Sequence, residues 1–182
     1  MKTQKSNKGR IVFGCLLAGI SILFFLGCQA RTHCVRSASE LHHALRETSV
    51  NHKADVIYVL QGTYYGNFIY DSIESHDLTI EGGYLEGCSN RVEDRTNTVF
   101  DGGGSGTVLV LSSPRAATKF VLEGLTIQGG EATGGNPGGV ILKTQGGKVI
   151  FRNCAVNGGV SRGTGGVVVE NGVVKGGIRK QW

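Results

Sequence analysis

Five short segments of this chain share one pattern, and their fourth residues are the polar groups whose types and spacing could do chemistry. They are LTIEGG (78–83), TVFDGG (98–103), LTIQGG (125–130), CAVNGG (154–159) and GVVKGG (172–177), starting 20, 27, 29 and 18 residues apart. The third residue is always apolar (Ile80, Phe100, Ile127, Val156, Val174) and the fourth always polar (Glu81, Asp101, Gln128, Asn157, Lys175). Stacked in register at about 4.8 Å, the spacing of neighbouring strands, the polar residues would form one outward column. Glu81 and Asp101 would then be adjacent carboxylates, able to give Ca2+ part of its roughly 6–8 oxygen ligands. Two carboxyls about 5 Å apart also match the spacing of a retaining glycosidase. The plainer reading is a solvated polar ladder with no cofactor. Glu81, Asp101, Gln128 and Asn157 are therefore the candidate ligand-binding residues, with Glu81 and Asp101 the candidate metal ligands. No residue can be named as catalytic.

Other chemistries lack their residues. The five histidines, His33, His42, His43, His52 and His76, all precede the regular repeats. His42 and His43 are adjacent, so on a helix they point about 100° apart, unlike an i, i+4 metal pair, and read as surface residues. GGGSG (102–106) lacks the Lys-Ser/Thr of a phosphate loop and leads into a strand, TVLVL, where a dinucleotide fingerprint needs a helix. Tyr64, Tyr65, Phe68, Tyr70 and Tyr84 form the one aromatic concentration. They could stack on sugars if exposed, but packing within the first coils is the simpler expectation. No Ser/His/Asp or Cys/His arrangement follows from spacing.

The elements that must hold the polar column are short strands. Period-2 alternation places the apolar residue of each copy inward and the polar one outward. A second repeat interleaves with the first, GGVILK (138–143) and GGVVVE (165–170), 27 residues apart. Gly124, Asn153 and Asp77 precede LTIQ, CAVN and LTIE, and these residue types best tolerate a left-handed backbone. A bend there would join the two strands of FVLEGLTI (120–127) and of VIFRNCAV (149–156). Cys154 then occupies the inward place of Leu125, as a small buried hydrophobe. Irregular repeats of this kind read as a solenoid whose units cannot bury a face alone. LEGLTI also fits the core of a leucine-rich repeat, but the stretches between strands are glycine and threonine, poor helix formers. A parallel β-helix, with a strand on every side, fits better.

These segments, LTIEGG, VFDGGGSGTVLVL, FVLEGLTIQGG and GGVILKTQGGKVIFRNCAVNGG, resemble secreted bacterial right-handed parallel β-helix repeat proteins of pectin-lyase-like architecture. GGVI followed by FRN is loosely similar to the repeats of polymorphic outer-membrane proteins, with FRN one residue shorter than their FxxN. The likeness covers about residues 34–177 and specifies coil and stacking more than activity. Lyases and hydrolases of that architecture imply several Ca2+-binding acids with a neighbouring Arg or Lys, or a DD pair with GHG and RIK; this chain has no DD, GHG or RIK. SASELHHALRETSVNH carries a capping box, Ser37 with Glu40, and Leu41, Ala44 and Leu45 on one helical face. A short helix over the first coil would cover the end of the solenoid, as the resemblance also implies. DVIYVLQGTYYGNFIY (55–70) reads as the first strands. No matching cap follows the last repeat, which suggests a fragment or early-terminated copy of a longer protein.

Compartment follows from the first thirty residues. Lys2, Lys5, Lys8 and Arg10 precede the apolar run IVFGCLLAGISILFFL and then LGCQA. This is the layout of an export signal, cleaved after Ala30 or, since FLGC resembles a lipobox, before a lipidated Cys28. An uncleaved signal anchor is the alternative. The whole chain carries +5, from 19 Lys+Arg against 14 Asp+Glu. Four of the cations and none of the acids lie in 1–30, so the rest carries only +1. That removes the support for a nucleic-acid partner. An oxidising compartment permits a disulfide, and Cys34–Cys88 is the candidate pair, both flanking turn-rich segments. The expected organisation is a signal at 1–30, a cap segment at 31–54 and β-helix coils at 55–182. The expected function is a surface-associated module for adhesion, glycan contact or structure. Its partner would be an extracellular polysaccharide or cell-surface glycan, with membrane contact only through a lipid anchor. A polysaccharide lyase or glycoside hydrolase, and a degenerate inactive fragment, are the alternatives.

Overall fold

In FVLEGLTIQ and VIFRNCAVN every second side chain faces one way, and one left-handed residue redirects the chain midway. Gly124 (φ 66°) and Asn153 (φ 48°) do this as their residue types suggest, and Asn171 (φ 50°) repeats it one coil later. Asp77 does not adopt that conformation. The computed structural model describes residues 30–114 and 118–181. Residues 1–29, with most of the expected export signal and the possible lipidation site Cys28, lie outside them.

Strand β1 (Arg31–Val35) and helix α1 (Ala38–Thr48) come first. Five three-stranded coils follow among the described residues. They are β2–β4 (Asp55–Leu60, Gly62–Tyr65, Phe68–Asp71), β5–β7 (Leu78–Tyr84, Thr98–Asp101, Leu109–Ser113) and β8–β10 (Lys119–Glu123, Thr126–Gln128, Val140–Thr144). The last two are β11–β13 (Lys148–Arg152, Ala155–Asn157, Val160–Arg162) and β14–β16 (Gly166–Glu170, Val173–Lys175, Ile178–Lys180). Every third strand pairs in parallel, which gives three sheets: β1-β2-β5-β8-β11-β14 (sheet A), β3-β6-β9-β12-β15 (sheet B) and β4-β7-β10-β13-β16 (sheet C). The fold is a parallel β-helix capped by one short helix.

Stacking in register turns each inward position into an apolar column. Ile57, Ile80, Leu122 and Phe151 align in sheet A, Tyr64, Phe100, Ile127 and Val156 in sheet B, and Phe68, Leu109, Val140 and Val160 in sheet C. All are buried, as is Cys154, whose thiol is pushed up to about 11 by burial. The aromatic concentration supplies the widest layers: Tyr64 and Phe68 pack on Phe100 with ring centres 5.9 and 5.1 Å apart, and Tyr70 meets Phe120 at 5.6 Å. Over the first coil, α1 buries Leu41, Ala44 and Leu45. Its N-terminus is capped by Ser37 Oγ, which accepts from Glu40 N–H at 3.2 Å. The Glu40 carboxylate accepts in return from Arg36 N–H at 2.9 Å, one residue short of a full capping box. Sheet A also begins earlier than Asp55, because β1 inside the expected cap segment pairs with β2.

The glycine pairs do more than turn the chain. A Cβ on Gly82 would lie 2.5 Å from the Gly124 carbonyl oxygen and 2.6 Å from Leu125 Cδ2, so the next coil stacks directly on its backbone. At Gly103 no atom lies within 4 Å of such a Cβ, and only its left-handed φ of 60° constrains the residue. Gly82→Ala is therefore expected to cost about 1–3 kcal/mol through overpacking. Gly103→Asn, which suits a left-handed backbone, should stay within about 0.5 kcal/mol of the parent. Urea midpoints of the two variants check this; equal losses would overturn it.

Candidate functional site

On the outer face of sheet B, Asp101 lies beside Gln128 and Asn157 beside Lys175, and the β9–β12 register places Gln128 next to Asn157. Four of the five expected residues thus form one outward column. Its head is a residue the repeat pattern did not include: Tyr65, opposite Asp101, with 68% of its surface exposed. Parallel to it runs a column of small side chains, Thr63, Val99, Thr126, Ala155 and Val173. Asp101 accepts from Gln128 Nε2 at 3.0 Å and from the Gly103 N–H at 2.9 Å, and these bonds hold its carboxyl below the ordinary range. The face is a ladder of amide and carboxylate groups beside a flat strip, with an exposed ring at one end.

Glu81 does not belong to this column. LTIE lies in sheet A, in register with FVLE, so Glu81 sits beside Glu123 and below Tyr58. The 20-residue step from LTIEGG to TVFDGG runs from one side of a coil to the next side of the same coil, not from coil to coil. A long connection, 85–97, inserted between β5 and β6 makes that step resemble a repeat interval. Glu81 and Asp101 are consequently not adjacent in a ladder, and the expected Ca2+ pair and glycosidase pair are not formed. Among the described residues no group of three or more His, Cys, Asp or Glu is placed to hold a metal ion.

The sheet A column is instead tied up internally. Arg91, from the 85–97 connection, donates from Nε to the Gly82 carbonyl at 2.8 Å and from Nη1 to Glu123 at 2.9 Å, with Glu81 3.8 Å away. Arg152 bridges Glu123 at 3.1 Å and Glu170 at 2.9 Å. Tyr84 donates to Glu81 at 2.8 Å and stacks on Tyr58 with ring centres 4.2 Å apart. Burial alone would raise Glu123, but its hydrogen bonds from Arg91 and Arg152 hold the carboxyl below its ordinary value. The connection is tethered along its length. Cys88 is disulfide-bonded to Cys34, Asn153 Nδ2 donates to the Glu93 carbonyl, Thr126 Oγ1 donates to the Arg95 carbonyl, and Arg95 donates to the Asn171 carbonyl.

The histidines are peripheral to both columns. His42 is exposed on α1 with its ring centre 4.8 Å from that of Phe68, and exposed His43 pairs with Glu47. His52 meets Glu74 at 2.7 Å.

A cleft that the sequence pattern did not reveal lies around the corner from the sheet B column. It encloses about 310 Å³ between the 129–137 connection and the glycine corner of the last two coils, with Ser161, Arg179 and Gln181 on its walls. The length of GGEATGGNP was its only trace in the sequence, since a corner between strands needs few residues.

Glu123→Gln should remove about 1.5–3 kcal/mol at pH 7, the range for hydrogen bonds to a charged group. Because the folded carboxyl is depressed, its stabilisation is present above the ordinary value of 4.5 and is lost as pH falls through the folded value. Thermal unfolding across pH 7 to 3 should show the parent and variant converging in acid; a constant gap would mean the charge is not its source. Compared with known proteins, the chain matches no family model, no curated protein and no solved structure.

Proposed function

We propose that this chain is an exported, surface-associated β-helix module that binds an extracellular polysaccharide or cell-surface glycan along the outer face of sheet B. The observation that carries the reading is the column Tyr65, Asp101, Gln128, Asn157 and Lys175, in register and facing outward. A sugar chain offers ring faces for an aromatic side chain and hydroxyl groups for amides and carboxylates. A column on paired strands presents these groups already ordered, which lowers the entropic cost of binding. The Cys34–Cys88 bond suits an oxidising compartment outside the cytoplasm. A lipid on Cys28, where the export segment is processed that way, would tether the module at the outer membrane. The lyase or hydrolase alternative loses its carboxylate pair once Glu81 and Asp101 fall on different sheets.

The test is a glycan array with the full chain, paired with an assay for released sugar. Retention of a glycan without turnover is the expected result. Tyr65→Ala and Asn157→Ala should each weaken binding on the order of tenfold, about 1.4 kcal/mol. Glu170→Ala, on the sheet A face, should leave it unchanged. Release of product, or retention of no glycan at all, would overturn the proposal.

A further inference from the structure

Charge is distributed along the solenoid axis in a way that the net value of the chain conceals. Residues 31–101, from the cap to the end of β6, hold six Lys and Arg against eleven Asp and Glu, a balance of −5. Residues 148–181, the last two coils, hold Lys148, Arg152, Arg162, Lys175, Arg179 and Lys180 against Glu170 alone, a balance of +5. The two regions also differ in how their charges are used. Toward the cap, Arg36 pairs with Glu40 and Glu86, Arg91 with Glu81 and Glu123, and Lys119 with Asp77. In the last two coils, every ion pair among the described residues belongs to Arg152. Lys148, Lys175, Arg179 and Lys180 are exposed and pair with no carboxylate of the described residues.

Register brings two of these cations to one corner. Lys175 is the foot of the sheet B column, one coil beyond Asn157, and Arg179 stands on sheet C beside Ser161. Val160 and Ile178 share the inward position there, so strand alternation aims Arg179 outward. Gly176 and Gly177 form the corner between the two strands, and no atom lies within 4 Å of a Cβ built on Gly177. Nothing at that corner screens Lys175 from Arg179, so one anionic group can meet both. Asp101 does not oppose it. It lies three coils from Lys175, about 14 Å, beyond the roughly 8 Å screening length of physiological salt. Its carboxylate is also committed to Gln128 and the Gly103 N–H. Glu131, on the 129–137 connection, forms an ion pair with neither cation.

The ligand that fits carries negative charge for this corner and hydroxyl groups for the amides of Asn157 and Gln128 farther up the same column. Single-stranded nucleic acid, another extended polyanion, is held largely by bases stacked on aromatic side chains. The one aromatic side chain of 148–181, Phe151, is buried in the core. A second copy would have to present its acidic cap, where Glu40, Glu86 and Asp77 already hold cationic partners. Giving those up costs affinity. We propose that Lys175 and Arg179, at the foot of the sheet B face, receive a carboxylate or sulfate group of the bound glycan. The inference rests on the glycan-binding reading and adds the class of glycan, an acidic one.

The test is a glycan array that carries each backbone in a neutral form and in a uronate- or sulfate-bearing form. Affinities of the full chain for retained pairs are then measured by calorimetry in low and in high salt. The acidic form should bind about tenfold more tightly in about 50 mM salt, and about 300 mM should bring the two forms together. Lys175→Gln combined with Arg179→Gln should lower affinity for the acidic form about threefold to tenfold and leave the neutral form unchanged. Both positions are exposed, and circular dichroism checks that the fold is intact. Lys53→Gln, an exposed cation at the capped end, should change neither. Asn157→Ala should weaken both forms equally. Equal affinity for the two forms, or a preference that survives the double variant, would overturn the acidic assignment and leave the glycan reading standing. Retention of no glycan in either form would overturn both. Salt-sensitive binding of a single-stranded oligonucleotide or of phosphatidylserine vesicles, with no preference for acidic glycans, would assign the cations to another polyanion and equally overturn the inference.

Discussion

The parallel backbone ladder decides which side chains of this molecule are neighbours. Each strand hydrogen-bonds to the strand one coil before and one coil after, about 4.8 Å away, so every residue inherits two companions fixed by register. Inward, this makes Tyr64, Phe100, Ile127 and Val156 a continuous column; outward, it makes Asp101, Gln128, Asn157 and Lys175 one. Gly82 shows how tight the constraint is. Its missing side chain lets the Gly124 carbonyl and Leu125 sit where a Cβ would otherwise be. A side chain there would lift one coil from the next and disturb every column that passes through it.

A ladder of this kind resists separation of coils only through short strands, and the 85–97 connection reinforces it. It leaves β5, passes beside sheet A and reaches residues on successive coils, Gly82, Glu123, Asn153 and Asn171. The disulfide at Cys88 anchors the connection to β1 at the capped end, with a sequence separation of 54 between its cysteines. In the chain-entropy account, closing a loop of that length stabilises by about 4 kcal/mol. Arg91 is the polar counterpart of the disulfide. Its side chain is largely buried, engages a backbone carbonyl and a carboxylate of different coils, and lies 5.8 Å from the Tyr84 ring centre.

Much of this architecture was legible because glycine and asparagine mark corners for a physical reason. Gly124 and Asn153 precede their strands in the left-handed conformation that their residue types tolerate, and Cys154 follows Leu125 into the core. The error at Glu81 has an equally physical source. LTIE and LTIQ are the same local pattern, two apolar residues alternating with polar ones before Gly-Gly, and period 2 says which way a side chain faces but not which sheet it joins. Only the coil lengths distinguish them. Along sheet A the partners Asp55, Leu78, Phe120, Val149 and Val167 are separated by 23, 42, 29 and 18 residues, so no fixed period was there to find. The cleft escaped notice for a related reason: its walls come from 132–137 and 158–181, and their meeting depends on a register that no local motif announces.

The same register explains why the polar groups of one outer face are less engaged with one another than those of the other. On sheet A the outward charges answer one another: Glu123 is held by Arg91 and Arg152, Glu170 by Arg152, and Glu81 by Tyr84. Those groups would have to give up partners before meeting a ligand, a cost that falls directly on affinity. On sheet B one side chain pair is made, Gln128 with Asp101, while Tyr65 remains exposed at the head and Lys175 at the foot. A face whose polar groups are ordered by strands but not consumed by one another can bind without reorganising. That difference arises from the 85–97 connection, which supplies Arg91 to sheet A and meets the outer face of sheet B at Thr126, in the strip beside the column and not in the column itself.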